Sequence, residues 1–198
     1  MKKLLLGLAL AGLPALLASP ASAALKVGDA APDFSAQGSL GGQDFSFNLK
    51  AALKKGPVVV YFYPSAYTKG CDIEAHTFAE QKDKFDAAGA SIVGVSGDSV
   101  ARLKDFADDP NYCAGKFPVV SDSDGKTAAA YNLHMSEAKA GATDVRGVEI
   151  GHGFIERVTY VIGKDGKIAA TLSSNDDHLT PDAHVDKSLA MVQQLAAK

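Results

Sequence analysis

Short apolar runs alternate with amphipathic stretches along most of this chain. Residues 58–63 are an unbroken run of β-branched and aromatic side chains, which predicts a buried strand, and Ser91–Ser96 predicts a second one. Residues 72–88 carry apolar side chains near helical spacing and precede Gly89, a residue typical of helix ends. Cys71 therefore stands at the start of a predicted helix.

The rest of the chain predicts further strands and helices in an ordered succession. They are a helix at 99–107 with Ser99 as its N-cap, a short extended piece at 117–121, strands at 158–162 and 167–172 joined by a turn at 163–166, and a closing helix at 182–196. This order predicts an α/β domain of thioredoxin-like fold, with a mixed central sheet flanked by helices. Residues 24–50 predict a surface extension with short strands, and residues 138–153 predict an inserted loop.

The first 23 residues have the pattern of an export signal. Lys2 and Lys3 precede an apolar run at 4–17, which is shorter than a membrane span, and small residues at 21–23 form a cleavage site. An uncleaved N-terminal anchor is the alternative. We expect residues 1–23 to be a signal peptide and residues 24–198 to form a single domain, exported to a bacterial periplasm.

Composition narrows the classes of partner. The formal net charge is −3 and becomes more negative when Lys2 and Lys3 are removed, and no basic run follows, so nucleic acid is not an expected partner. No second apolar stretch is long enough to span a bilayer, so no membrane association is expected after signal removal. The five histidines are scattered without metal-ligand spacing, which favours solvated or capping roles and predicts neither a metal nor a cofactor.

The two cysteines, Cys71 and Cys113, carry the candidate chemistry. In an oxidising compartment they could form a structural disulfide. However, a helix N-terminus favours a thiolate, so a reactive Cys71 and a reversible disulfide are the alternative. No Cys-x-x-Cys pair is present, and a lone thiol that attacks a small electrophile becomes a sulfenic acid.

The loop before Cys71 contains the groups that such a thiol needs. Pro64 ends the strand and fixes the direction of the chain. Thr68 lies three residues before Cys71, so its hydroxyl is expected to fold back toward the sulfur. The backbone N–H groups around Gly70 can hold a polar oxygen, and Lys69 either adds positive charge or is simply solvated.

The pattern Pro64-x-x-x-Thr68-x-x-Cys71 resembles the active-site motif of peroxiredoxins in the AhpC/TSA superfamily. With Tyr63 before it and Glu74-Ala75 after it, the motif is similar to that of the bacterioferritin-comigratory, or Q-type, branch. Further segments resemble the family in the same order: 27–34 its opening, 117–122 its middle strand and 157–162 the strand that bears the active-site arginine.

The resemblance implies a thiol peroxidase that acts on hydrogen peroxide and organic hydroperoxides without a cofactor. Cys71 would be the peroxidatic cysteine, Arg157 would lower its pKa and polarise the peroxide, Thr68 would orient the peroxide, and Pro64 would shield the sulfenic acid. The structural alternatives are a surface salt bridge for Arg157 and turn or capping roles for Thr68 and Pro64, which are compatible with function.

The resemblance also bears on the second cysteine. Many Q-type members place it five residues after the first, where this chain has His76, whereas Asn111-Tyr112-Cys113-Ala114 resembles a second arrangement. This implies a resolving Cys113, an intramolecular Cys71–Cys113 disulfide, a thioredoxin-like reductant and a monomer. The alternative is that Cys113 is a buried apolar side chain and Cys71 works alone.

Two other functions remain open for such a thiol. One is an exported thioredoxin-fold module that binds a thiol or a metal, although a copper chaperone needs paired soft ligands. The other is a thiol–disulfide reductase, against which the missing second motif cysteine argues.

Overall fold

The computed structural model describes residues 23–197, so the predicted signal peptide lies outside the described residues except for its last position. In chain order, the helices and strands are β1 (Ser35–Leu40), β2 (Gln43–Asn48), α1 (Leu49–Leu53), β3 (Val58–Phe62), α2 (Lys69–Ala87), β4 (Ser91–Ser96), α3 (Val100–Asp108), β5 (Val119–Ser121), α4 (Lys126–Ala130), β6 (Val158–Ile162), β7 (Ile168–Ser173) and α5 (Pro181–Ala196). Between residues 23 and 197, none of the helices is long and apolar enough to cross a membrane.

The strands form a seven-stranded mixed sheet in the order β2-β1-β5-β4-β3-β6-β7. The central strands β3, β4 and β5 are parallel, whereas β6 runs antiparallel to β3 with Phe62 opposite Val158. This pairing sets the chain just before β6 beside the carboxyl end of β3. The predicted α/β architecture with a mixed central sheet and flanking helices is confirmed.

Side chains of β3 alternate between two hydrophobic clusters because successive residues of a strand point to opposite faces of the sheet. Val59 and Tyr61 pack with α2, α3 and α5, whereas Val58, Val60 and Phe62 pack with α1 and α4. Cys71 and Cys113 both belong to the first cluster. The two thiols therefore lie in the same layer of the molecule, on the same face of the sheet.

Local sequence signals agree with the element boundaries to within a few residues. Gly89 has φ +70°, its N–H donates to Asp86 O at 2.8 Å, and Ala90 N–H donates to Phe85 O at 2.9 Å, which is a Schellman end for α2. Ser99 caps α3 by accepting from Arg102 N–H. The predicted start of α2 at residue 72 is three residues late, because the helix begins at Lys69.

The prediction for residues 24–50 needs a correction. Rather than a surface extension, β1 and β2 are strands of the main sheet, since β1 pairs with β5. Gly38 makes this pairing possible, because a Cβ built there would lie 2.1 Å from Val119 O. The two strands are joined by Gly41 and Gly42, both with positive φ, as in a tight hairpin. The glycines of residues 24–50 thus serve the close approach of β1 to β5 and the tight turn between β1 and β2.

Candidate active site

The candidate site lies where β3 ends and α2 begins. Pro64 follows the strand, and Thr68 is the N-cap residue of α2 with extended backbone angles of φ −120° and ψ 139°. Cys71 is the third helical residue, so it is in the first turn, where backbone N–H groups lack helical partners. Its side chain is buried, with 1% of its surface exposed. The sequence prediction of a thiol at a helix N-terminus is therefore correct in position.

Arg157 approaches the Cys71 thiol from the neighbouring strand β6. It directly precedes β6, which the antiparallel pairing with β3 sets beside the start of the loop. Its Nη2 lies 3.1 Å from Cys71 Sγ and donates a hydrogen bond to it. A Cβ on Gly70 would lie 3.1 Å from the same nitrogen, so the glycine before the cysteine leaves room for the guanidinium.

Glu74 is the second partner of Arg157. It lies one helical turn after Cys71 on the same side of α2, and its side chain is fully buried. Arg157 Nη1 donates to Glu74 Oε2, so one guanidinium contacts both the thiol and the carboxyl group. Burial raises the pKa of Glu74 to about 7, although the positive charge of Arg157 acts in the opposite direction.

Arg157 lowers the pKa of Cys71, as predicted, but burial of the thiol has the larger effect. Burial raises the pKa of this thiol above its ordinary value, and Arg157, the Thr68 side chain and the Ser65 backbone lower it only in part. The physical reason is that a thiolate must be desolvated in this setting, and the arginine that would stabilise it is already paired with Glu74. Burial acts to lower the pKa of Arg157, but Glu74 and Cys71 together raise it above its ordinary value, so the guanidinium stays charged.

Thr68 and Lys69 occupy different surroundings. The Thr68 hydroxyl donates to Ser65 O at 2.8 Å, which fixes its proton and leaves the oxygen free to accept. The Thr68 side chain also lies close to the Cys71 sulfur, as expected. Lys69 is exposed, which matches the alternative of a solvated lysine.

Cys113 lies five residues beyond the end of α3, in a series of turns that includes Ala114 and Gly115 with positive φ. It is fully buried, and burial raises its thiol pKa well above the ordinary value. Both cysteines are free thiols in this structure. The ring of Tyr112, beside Cys113, meets the ring of Tyr67 edge-on with 5.3 Å between centroids, so the turn packs against the loop that leads to Cys71.

Sequence reasoning missed a polar chain behind Arg157. Thr159 Oγ1 lies 3.5 Å from Glu74 Oε1 and 3.0 Å from His184 Nδ1, and His184 Nε2 lies 3.0 Å from Ser174 Oγ. His184 was expected to be solvated or capping, but it is fully buried, and burial lowers its pKa to about 4. Its helical spacing to Ser188 and Val192 on the buried face of α5 is the signal that could have found it.

The expectation for histidines is also wrong for His152. Its Nε2 lies 2.9 Å from Oδ1 of Asp98, a fully buried carboxylate, and only a small part of its side chain is exposed. The other three histidines, His76, His134 and His178, are exposed. In the part of the chain that the structure describes, no three His, Cys, Asp or Glu side chains are grouped as metal ligands would be.

Comparisons with known proteins agree with this geometry. The model of the AhpC/TSA family matches residues 27–171. Peroxiredoxin Q of Populus jackii is 32% identical over 168 residues, which cover 85% of this chain and 68% of that protein. The crystal structure of peroxidoxin BcpB from Mycobacterium tuberculosis superposes with a TM-score of 0.68 at 30% identity and covers 86% of this chain and 97% of that one.

A third comparison concerns the bacterioferritin comigratory protein of Xanthomonas campestris, which has a TM-score of 0.62 at 28% identity and covers 81% of this chain and 91% of that one. The chain belongs to the AhpC/TSA family. Its relatives are peroxiredoxins, including those of the Q and bacterioferritin-comigratory types, and its fold is thioredoxin-like. Membership in this family supports thiol peroxidase activity.

The shared arginine leads to opposite effects of two substitutions on the pKa of Cys71. Arg157→Met should raise this pKa by about one unit or more, because the main stabiliser of the thiolate is lost. Glu74→Gln should lower it by a similar amount, because Glu74 is ionised where the thiol titrates and competes for Arg157. The measurement is the ultraviolet absorbance of the thiolate against pH in a Cys113→Ser background. Lys69→Met, which removes an exposed cation, is the control with little change, and equal directions for Arg157→Met and Glu74→Gln would contradict the sharing.

The buried His184 leads to a pH dependence of stability. Its pKa is lower in the folded chain (about 4) than in the unfolded one (about 6.5), so its contribution is complete above pH 6.5 and is lost as the pH falls toward 4. The loss amounts to roughly 3 kcal/mol. Urea unfolding of wild type and His184→Gln between pH 7 and pH 4 measures it.

The variant should lose less stability than wild type over this pH range, although it is less stable at pH 7. Glu74 has the opposite trend, since its pKa is raised on folding and its contribution is lost as the pH rises from about 4.5 to about 7. Because Glu74 is present in both proteins, the difference between them isolates His184. If the free energies of unfolding of the two proteins change with pH in parallel, the pKa of His184 is the same in the folded and unfolded chains, which would contradict this prediction.

Proposed function

We propose that this protein is a thiol-dependent peroxidase that reduces hydrogen peroxide and organic hydroperoxides through a sulfenic acid on Cys71. The observation that carries the proposal is the hydrogen bond of 3.1 Å from Arg157 Nη2 to the buried Cys71 Sγ at the N-terminus of α2. A guanidinium in this position can contact both the attacking sulfur and a peroxide bound beside it. The alkyl peroxide reduction activity of the Xanthomonas campestris relative supports the inclusion of organic hydroperoxides.

The first step is a two-electron reduction of the peroxide. The Cys71 thiolate attacks the terminal oxygen, an S–O bond forms, and the O–O bond breaks. The leaving oxygen departs with the electron pair and takes a proton to give water or an alcohol. Arg157 stabilises the negative charge as it moves from sulfur to the leaving oxygen, and the Thr68 oxygen, whose own proton is donated to Ser65 O, is free to accept the peroxide O–H.

The second step is the formation of a Cys71–Cys113 disulfide. The Cys113 sulfur attacks the sulfenic acid, and a disulfide and one water molecule are produced. Both thiols belong to the hydrophobic cluster beneath α2 and α3, and the turn bearing Cys113 packs against the Cys71 loop through Tyr112. A disulfide needs Cα atoms within about 7 Å and both sulfurs are buried, so the proposed step includes unwinding of the first turn of α2 to bring Cys71 to Cys113. A thioredoxin-like protein would then reduce the disulfide.

Intact-mass measurement after one equivalent of hydrogen peroxide tests both steps. Wild type should lose two hydrogen atoms, Cys113→Ser should gain one oxygen atom, and Cys71→Ser should remain unchanged. An added oxygen on wild type without a disulfide would retain the peroxidase and remove Cys113 from the cycle. If Cys71 stays unmodified while the protein binds copper, the peroxidase proposal is wrong and the metal-binding alternative replaces it.

The proposal includes the place and state in which the protein works. The charged and apolar pattern of residues 1–23 supports export to a bacterial periplasm and cleavage before Ala24. The resemblance to the Q-type branch supports action as a monomer. Protein isolated from the periplasmic fraction of an expressing bacterium should have Ala24 as its N-terminal residue. Its molar mass measured by light scattering should be that of a monomer. A chain that keeps Met1 and stays in the membrane fraction would instead support the uncleaved anchor.

A further inference from the structure

Residues 138–153, called here the 138–153 segment, contain no regular helix or strand, yet they lie directly against the loop that leads to Cys71. Val145 N–H donates to Tyr67 O at 2.9 Å. The guanidinium of Arg146 lies 3.2 Å from the centroid of the Tyr67 ring, a cation–π contact. At the other end of the segment, His152 Nε2 lies 3.4 Å from Ser65 Oγ. The segment therefore contacts the loop at two separate residues.

Two buried carboxylates strengthen this attachment. Asp98 accepts hydrogen bonds from Ser65 Oγ at 2.9 Å and Ala66 N–H at 2.8 Å, and it contacts His152 as described above. Asp144, whose side chain is inaccessible to solvent, accepts from Nε and Nη2 of Arg146 at 3.0 and 2.8 Å. Removing one member of such a network leaves a buried charge without its partner, so the network resists movement.

Arg102 of α3 joins the two carboxylates. Its Nη2 donates to Asp144 Oδ2 at 2.7 Å and to Ala66 O at 3.0 Å, and its Nε lies 2.9 Å from Asp98 Oδ1. The loop, the 138–153 segment and α3 are thus connected through one set of buried charges. This set is separate from the group formed by Arg157 and Glu74, because the two share no hydrogen bond.

Tyr67 is the residue on which these contacts converge. It has φ +58°, a left-handed conformation that non-glycine residues rarely adopt, so contacts elsewhere must hold it. Its ring is packed between Arg146 on one side and Phe106 and Tyr112 on others, with centroid distances of 5.1 and 5.3 Å to the two rings. Thr68 and Cys71 follow within four residues, so the position of Tyr67 sets the entry of the chain into α2.

We propose that the 138–153 segment is a clamp on the Cys71 loop, and that Arg146 and His152 are positioning residues for the reaction of Cys71 with peroxide. The clamp holds the loop in the arrangement where Cys71 meets Arg157, and it opposes the unwinding that a Cys71–Cys113 disulfide requires. The first effect rests only on the proposed reaction of Cys71 with peroxide, and the second rests also on the proposed disulfide. Loosening the clamp should therefore slow the oxidation of Cys71 by peroxide and speed the formation of the Cys71–Cys113 disulfide.

Arg146→Ala in the mature protein tests the clamp, because the Arg146 side chain is partly exposed and its loss leaves the main core intact. Amide hydrogen exchange should accelerate at residues 65–73 and stay unchanged in the central strands. In a Cys113→Ser background, oxidation of Cys71 by hydrogen peroxide should slow about 3- to 10-fold. With Cys113 present, disulfide formation after oxidation should become faster. Lys139→Ala, an exposed residue of the same segment, is the matched control and should behave as wild type.

Arg146→Lys keeps a cation near Tyr67 but loses the two-pronged contact with Asp144, so its effects should be intermediate. It also replaces Arg146→Ala if that variant exchanges faster throughout the molecule. If Arg146 has a merely structural role, its loss should slow both the oxidation of Cys71 and the formation of the disulfide, and this result would overturn the clamp. Unchanged amide hydrogen exchange at residues 65–73 would also overturn it.

The arms of the experiment separate the two proposals. If wild type gains oxygen without forming a disulfide, resolution by Cys113 fails, while exchange and the rate of Cys71 oxidation still decide on the clamp. If Cys71 does not react with peroxide at all, the proposed function and the assigned positioning role both fail, and accelerated exchange at 65–73 would support only a structural hold on the loop.

Discussion

The sharing of one buried guanidinium between a thiol and a carboxyl group is the interaction on which the candidate site depends. Arg157 contacts Cys71 and Glu74 at once, and all three side chains are largely removed from water. One cation faces two groups that can each carry a negative charge, so full ionisation would leave an excess buried charge. Loss of solvent around the thiol raises the pKa of Cys71, and Arg157 offsets only part of this rise. In the proposed reaction, the charge that forms on sulfur passes to the leaving oxygen, within reach of the same arginine.

The fold supplies this arrangement through ordinary strand pairing. Because β6 is antiparallel to β3, the residue before β6 reaches the loop after β3, and helical spacing sets Glu74 on the same side of α2 as Cys71. Helix α5 closes the site from behind with His184, which burial keeps neutral at ordinary pH. A neutral imidazole beside Thr159 supports the chain of polar groups without adding a second cation that would compete with Arg157 for Glu74.

The two proposed chemical steps place opposite demands on the Cys71 loop. Reaction with peroxide needs a fixed geometry, whereas disulfide formation needs the first turn of α2 to open. The buried network of Asp98, Arg102 and Asp144 serves the first demand, and the turn around Cys113, which has few helical bonds to lose, serves the second. The balance between the buried network and the turn around Cys113 would decide how long a sulfenic acid on Cys71 persists. The packing of the 138–153 segment is thereby connected with the susceptibility of Cys71 to further oxidation.

By itself the sequence determined β3 to β7, the long helices α2, α3 and α5 and the placement of Cys71 at a helix start, but not the short helices α1 and α4. Apolar periodicity, caps and turn residues act over a few positions. The motif around Cys71 further indicated the family. Only the tertiary structure decided that residues 24–50 join the main sheet, that Glu74 shares Arg157, that His184 is buried and that His152 contacts the buried Asp98. It also showed that burial outweighs the lowering of the Cys71 pKa by Arg157. These properties depend on desolvation and on contacts between residues far apart in the chain, such as Arg157 and Glu74, and no local pattern records either.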